Sequence, residues 1–189
     1  MILLWVRSFL HLTYISHIGH DKEFIWKERG FSSIKEHDKE ILKRWNEIVK
    51  PEDTVYILGD LALGQNENEW DNVFYDLNGN IFFIQGNHDT NRKISLYQSR
   101  YIMDYLGAAY FWKYGKRSFY LSHFPTLVGN YDDTTKKALW NFSGHTHSKN
   151  KFEYGQYHIY NVAVDAHNCY PVSIEEIIKD IQNYNSIQI

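Results

Sequence analysis

The stretch Ile81-Phe82-Phe83-Ile84-Gln85-Gly86-Asn87-His88-Asp89 decides the fold. Its first four residues are apolar, two of them aromatic, and read as a buried strand. The quartet Gly86-Asn87-His88-Asp89 is what that strand delivers, and strand ends are where open α/β sheets gather their chemistry. A glycine lets the backbone turn sharply there, an Asn oxygen can ligate a hard cation, and a histidine can move protons. Three more segments repeat the design: Gly59-Asp60 after Thr54-Val55-Tyr56-Ile57-Leu58, Ser122-His123 after Phe119-Tyr120-Leu121, and Gly144-His145-Thr146-His147 after Leu139-Trp140-Asn141-Phe142. Taken singly, such residues are ordinary turn formers and caps. Repeated in order, they predict four strand ends that bring Asp, Asn and His to one metal site.

Working outward, Phe9 to Ile15 reads as a first strand ending at Ser16-His17-Ile18-Gly19-His20. Ser33-Ile34-Lys35-Glu36 is a capping-box pattern, in which a Ser oxygen and a Glu three residues on satisfy the free amides of a helix start. The helix is predicted to run to about Lys50, with Ile34, Ile41, Trp45 and Ile48 as its apolar stripe, flanked by Leu42 and Val49, and Pro51 as its stop. A second helix is predicted near Asn66 to Leu77, closed by Asn78-Gly79, and a weaker one from Thr90 to Ser99. Ala109 to Tyr114 and Arg117 to Ser122 flank Gly115-Lys116 as a hairpin, which makes the sheet structure mixed. Phe152-Glu153-Tyr154 and Tyr157 to Val164 are read as a second hairpin around Gly155-Gln156. Ser173-Ile174-Glu175-Glu176 starts the last helix, with Val172 and Ile177 as its staple and Ile174, Ile178 and Ile181 facing inward.

The bulk numbers fit this picture. A chain of 189 residues that is 43% hydrophobic and 17% aromatic suits one globular domain spanning 1–189. Residues 1–8 are read as a strand or a disordered lead-in, because the apolar run from Met1 is broken at Arg7 and no small-residue cleavage site follows. The net charge of −3 offers no bulk attraction to a polyanion, so extended nucleic-acid binding is disfavoured while a small phosphorylated substrate stays open. Cys169 is the only cysteine, which excludes a disulfide framework or a cysteine-based zinc site within one chain and suits a reducing cytoplasm. No apolar run approaches the roughly 20 residues that span a bilayer.

The ordered set Gly59-Asp60, Gly86-Asn87-His88-Asp89, Ser122-His123-Phe124-Pro125 and Gly144-His145-Thr146-His147 resembles the calcineurin-like metallophosphoesterase superfamily, above all its small single-domain bacterial and phage members. The likeness extends from about Ser16 to about Ile178, and takes in Gly19-His20 and the ending Asn161-Val162-Ala163-Val164-Asp165. It implies a four-layer α/β/β/α sandwich of two mixed β-sheets flanked by helices, with two divalent metal ions at the strand ends. By that resemblance Asp60 would bridge both ions. Asn87, His123 and His145 would complete the second, and His17 and His147 would bind the first. His88 would be the general acid or phosphate donor, with Asp89 orienting it, and the attacking group would be a metal-bound hydroxide near Asp60.

One position departs from the family pattern. Its Asp-x-His places an aspartate ligand where this chain has Ile15 or, with Ser8-Phe9-Leu10-His11 set on that motif instead, Phe9, so either way one carboxylate is missing and the expectation is a complete second site and a weakened first, down to a single ion bound. Asp, Asn and His ligation without thiolate suits Mn²⁺, Fe or Zn²⁺ better than Ca²⁺. The leading reading is therefore a metallophosphoesterase, a phosphodiesterase or phosphomonoesterase. The rivals are a degenerate member serving as a metal- or phosphate-binding module, favoured by Ile15, and a nuclease, disfavoured by the acidic balance. His20 is divided between phosphate contact and a structural role. Arg92 and Lys93 are read as a solvated helix face, His11, His37, His158 and His167 have no motif behind them, and Asp165 is read as ordering a loop. The stretch Pro125 to Thr135 is expected to shape the pocket.

Overall fold

The computed structural model describes residues 9–14, 17–64, 66–128 and 138–187. Two sheets carry the chain. The first runs β4(Asp104–Tyr105)-β3(Asn80–Phe83)-β2(Thr54–Ile57)-β1(Leu10–Thr13)-β9(Val172–Ser173), parallel except for β9. The second runs β5(Ala109–Tyr114)-β6(Arg117–Ser122)-β7(Trp140–Ser143)-β8(Ile159–Asn161), with the β5–β6 hairpin antiparallel and the remainder parallel. Both sheets are mixed and helices flank them, which is the α/β sandwich that the sequence implies. Residues 1–8 and Ile15, for which a lead-in and a missing ligand are expected, lie outside the described residues, as do 129–135 of the pocket-shaping stretch.

Strand alternation sorts the side chains into two cores. Val55, Ile57, Ile81 and Phe83 face one way and meet Ile41 and Trp45 of α2(Ile34–Ile48), Trp70, Val73 and Phe74 of α3(Glu67–Phe74), and Ile94 and Tyr97 of α4(Asn91–Arg100). Leu12 and Leu58 face the other way, into a cluster with Trp112, Phe119, Leu121, Trp140 and Phe142 of the second sheet. The last helix, α5(Ile174–Ile187), lays Ile174, Ile177 and Ile181 into that second cluster, and Ser173 Oγ accepts the Glu176 amide as its cap.

Several details depart from expectation. Ser33 Oγ does accept from Glu36 N at 3.2 Å, but the Glu36 carboxylate reaches back to the Ser32 amide at 2.7 Å instead of that of Ser33. The buried stripe of α2 is His37, Ile41 and Trp45, one residue every four, while Ile34 and Ile48 are only partly covered. α3 stops at Phe74 because Asn46 captures the following backbone, donating to Asp76 O and accepting from Asn78 N. The second hairpin does not form. Phe152 instead stacks flat on Tyr184 at 4.3 Å, residues 151–158 fold into turns with His158 at φ 58°, and β8 joins β7 in parallel.

The two sheets meet at their carboxyl ends. Tyr14, just past β1, bridges Ala163, just past β8. Ile18 bridges Ala62, which draws the loop after β1 along the loop after β2. The four predicted strand ends therefore open onto one place.

Candidate metal centre

Glycines set how closely the loops approach. A Cβ on Gly59, whose φ is 93°, would come 2.6 Å from both Gly86 N and His123 Nδ1. One on Gly86 would overlap Asp60, and one on Gly144 would enter the Tyr14 ring. With these side chains reduced to hydrogen, the loops after β2, β3, β6 and β7 pack against one another. His17, Asp60, His145 and His147 all adopt positive φ, at 83°, 53°, 66° and 53°. That backbone is unfavourable for residues with a Cβ, and such strain clusters at functional sites.

Asp60 Oδ2, Asn87 Oδ1, His123 Nε2 and His145 Nδ1 converge. His123 Nε2 lies 2.7 Å from Asn87 Oδ1, 3.1 Å from His145 Nδ1 and 3.5 Å from Asp60 Oδ2. Its Nδ1 sits 3.0 Å from the Leu58 carbonyl, so the neutral ring carries its proton on Nδ1 and leaves Nε2 bare. Bare lone pairs this close repel unless a cation sits among them. Donors bound about 2.0–2.2 Å from one ion are themselves about 3 Å apart, which is the spacing found. Asp60, His123 and His145 thus form a group able to hold a metal ion. The set contains oxygen and imidazole nitrogen and no sulfur, which fits a divalent transition metal.

His17 and His147 form a second pair, their Nε2 atoms 3.0 Å apart. Burial, then His147 beside it, pushes the His17 ring down to about 2, so it is neutral at any ordinary pH. Burial, then His123, also lowers His145. Neutral, lone-pair-bearing rings are what a metal requires. Asp60 belongs to the first group. Its Oδ2 accepts from the Tyr14 hydroxyl at 3.3 Å and its Oδ1 from the His88 amide at 2.8 Å.

The remaining expectations divide. The His88 side chain is exposed, with its ring 6.4 Å from that of His17. Asp89 does not orient it. The Asp89 carboxylate is buried and accepts the Gly86 amide at 2.8 Å and the Asp60 amide at 2.6 Å, and thereby ties the two turns together. His20 stacks on His17 at 4.9 Å. Lys93 is no free surface charge, since its Nζ donates to Ala62 O at 2.6 Å and His88 O at 3.0 Å. Arg92 pairs with Glu67 and stays exposed.

Sequence reasoning passed over the support behind His147. Arg29 Nε and Nη2 each donate to Asp165 at 2.9 Å, and Asp165 Oδ2 faces His147 Nδ1 at 3.4 Å. Arg29 Nη1 also donates to His37 Nε2 at 2.8 Å, His37 Nδ1 donates to Asp38, and Asp38 accepts the Gly19 amide. Tyr14, between the His123 and His147 rings, was likewise unsignalled. The only cue was the position of Asp165 in an ending that resembles the family, and nothing local pairs it with Arg29.

Comparison with known proteins decides the family. The description of calcineurin-like phosphoesterases matches residues 20–185. The chain belongs to that family. Among relatives of this chain, the uncharacterized protein MJ1445 of Methanocaldococcus jannaschii is 31% identical over 180 residues, covering 92% of this chain and 91% of its own. The Gene 66 protein of Mycobacterium phage D29 is 31% identical over 156 residues, 70% of this chain and 75% of its own. In fold, the calcineurin-like chain is similar to the crystal structure of AQ665 from Aquifex aeolicus, a protein of unknown function, with a TM-score of 0.69 at 23% identity over 92% of this chain and 99% of that one. The family binds divalent metals, and the Asp60, His123 and His145 group is where this member could bind one.

Proposed function

We propose that the protein is a metal-dependent hydrolase of a small phosphomonoester or phosphodiester. The observation that carries this reading is the convergence of Asp60, Asn87, His123 and His145 with bare donor atoms 2.7–3.5 Å from His123 Nε2. In it, these four hold one divalent ion, His17, His147 and Asp60 hold another, and Mn²⁺, Fe or Zn²⁺ fits the donors. Two such ions supply positive charge to the phosphoryl oxygens and lower the pKa of water.

The protein's own residues do the rest. Asp60, fixed by the His88 amide and the Tyr14 hydroxyl, keeps its carboxylate with His123 and His145. His88 projects from the turn into solvent, where a ring nitrogen can give a proton to the departing oxygen. Its backbone cannot drift, because its amide donates to Asp60 and its carbonyl accepts from Lys93. Ile15, at the position of the family's aspartate ligand, leaves the His17 and His147 pair one carboxylate short, so that pair is the weaker binder.

An aryl phosphodiester assay with Mn²⁺, run beside measurement of metal per chain after dialysis, tests this. Asn87→Ala should lose turnover together with bound metal. His88→Ala should keep its metal and lose about 10²–10⁴-fold in kcat, the usual worth of a general acid. Ile15→Asp should tighten the ion held by His17 and His147 and raise the rate. Metal bound without turnover of any phosphoester would instead favour the reading that Ile15 already suggests, a metal- or phosphate-binding module.

A further inference from the structure

The first feature outside the ligand set is a cavity of about 360 Å³ beside it. Asn87 and His123 line it together with Ala108, Ala109, Tyr120 and Phe124. It lies on the face of β5 and β6 turned away from the core between the sheets, since Trp112, Phe119 and Leu121 point the other way.

Three properties of this cavity specify what fits it. Among the described residues no Lys, Arg, Asp or Glu lines it, so a second phosphate or a charged sugar acid would find no partner among them. Three of its polar side chains are already engaged within the protein. Ser122 Oγ donates to Phe124 O and accepts from Asn141 Nδ2, and Thr126 Oγ1 donates to the same Phe124 carbonyl. Gln85 spans Asp89 O and the Tyr105 hydroxyl. A ligand entering therefore gains little hydrogen bonding from these three and much from apolar burial. Lastly, the Phe124 ring is 48% exposed while it packs edge-on against His123 and His145 at 4.7 and 4.6 Å. That offers an aromatic surface held rigidly next to the ligand atoms.

We propose that this cavity seats the organic group of the substrate, and that the preferred phosphoester carries a flat, apolar, uncharged substituent, an aromatic ring above all. The proposal rests on the phosphoesterase reading, because the ion that Asn87 and His123 would help to hold beside the cavity is what would anchor the phosphoryl group. Selection is by shape and apolar contact, with no base-edge or sugar recognition.

Equilibrium binding of non-hydrolysable probes to the Mn²⁺-loaded protein tests it. Phenylphosphonate should bind about tenfold or more tightly than methylphosphonate, the worth of burying one ring. Ala108→Trp, at an exposed position that contacts no ligand atom, should remove that advantage and leave methylphosphonate affinity unchanged. Magnetisation transfer from the phenyl protons to the Phe124 and Tyr120 rings in the unaltered protein loaded with diamagnetic Zn²⁺ provides a readout that needs no variant. Equal affinities for the two phosphonates, or phenylphosphonate binding indifferent to Ala108→Trp, would overturn the cavity assignment and leave phosphoester hydrolysis standing. Preferential phenylphosphonate binding without hydrolysis of any ester would do the reverse.

Discussion

Asp165 is nearly dry, yet it holds its charge. Burial alone would push the carboxyl up, but hydrogen bonds from His147 and Arg29 outweigh it and hold the group well below the usual carboxylate range. Charged in this way, Asp165 draws the proton of His147 onto Nδ1 and leaves Nε2 bare toward His17. A carboxylate behind a histidine fixes both tautomer and ring orientation, and losing one typically costs 10–100-fold in metal affinity. Asp165→Asn should accordingly weaken metal binding at the His17–His147 pair by about that factor, while the ion held by Asn87, His123 and His145 is less affected. It should also destabilise the metal-free protein by about 3–5 kcal/mol, because Arg29 keeps its buried charge and loses its carboxylate. Metal titration and urea unfolding read the two effects separately. A titration that overlays that of the unaltered protein would mean that something other than Asp165 orients His147.

At the scale of elements, α4 clips together two turns that the sequence presents as independent. Lys93 crosses from α4 to the carbonyls of Ala62 and His88, its ammonium 5.6 Å from the Trp70 ring, and burial lowers its pKa. Lys93→Met keeps the apolar stem and removes both bonds. It should cost about 1.5–3 kcal/mol, the range for charged hydrogen bonds, with a lowered urea midpoint, an unchanged slope and faster amide exchange at His88. Unchanged exchange there would return Lys93 to the solvated face that its sequence suggests. The contrast shows what was legible. α2, α4, the β5–β6 hairpin and the ligand-bearing strand ends follow local rules of period, capping and turn chemistry, and the ligands could be aligned in order by family likeness. The reach of Lys93, the pairing of Arg29 with Asp165 across 136 positions and the stacking of Phe152 on Tyr184 depend on tertiary proximity. The misread second hairpin is the same failure, since the residues around Gly155 have turn character but their partner is β7.

Across the whole molecule, five histidines share one sign. His11, His17, His20, His145 and His167 are all lowered, in each case first by burial. The unfolded chain takes up protons near pH 6.5, and the folded chain resists them to lower pH. Stability is therefore present in full above about pH 6.5 and is lost as pH falls below it. His11, beside Asp53, and His167, on the Asn161 carbonyl, are 6% and 8% exposed and stand apart from the metal ligands. Each can cost up to about 1.4 kcal/mol by pH 5.5, one pH unit into that window. Asp89, raised by burial, runs the other way, because the folded chain takes up that proton before the unfolded chain does, and so it offsets part of the loss. The metal-free protein should thus show a melting temperature that drops steadily from pH 7 to 5.5. His167→Gln should make that drop shallower, even if it lowers the starting value. A melting temperature flat from pH 7 to 5.5 in the absence of metal would mean that these buried rings take up protons as readily as free ones, and that their neutrality, on which the site's readiness for a cation depends, is not built into the fold.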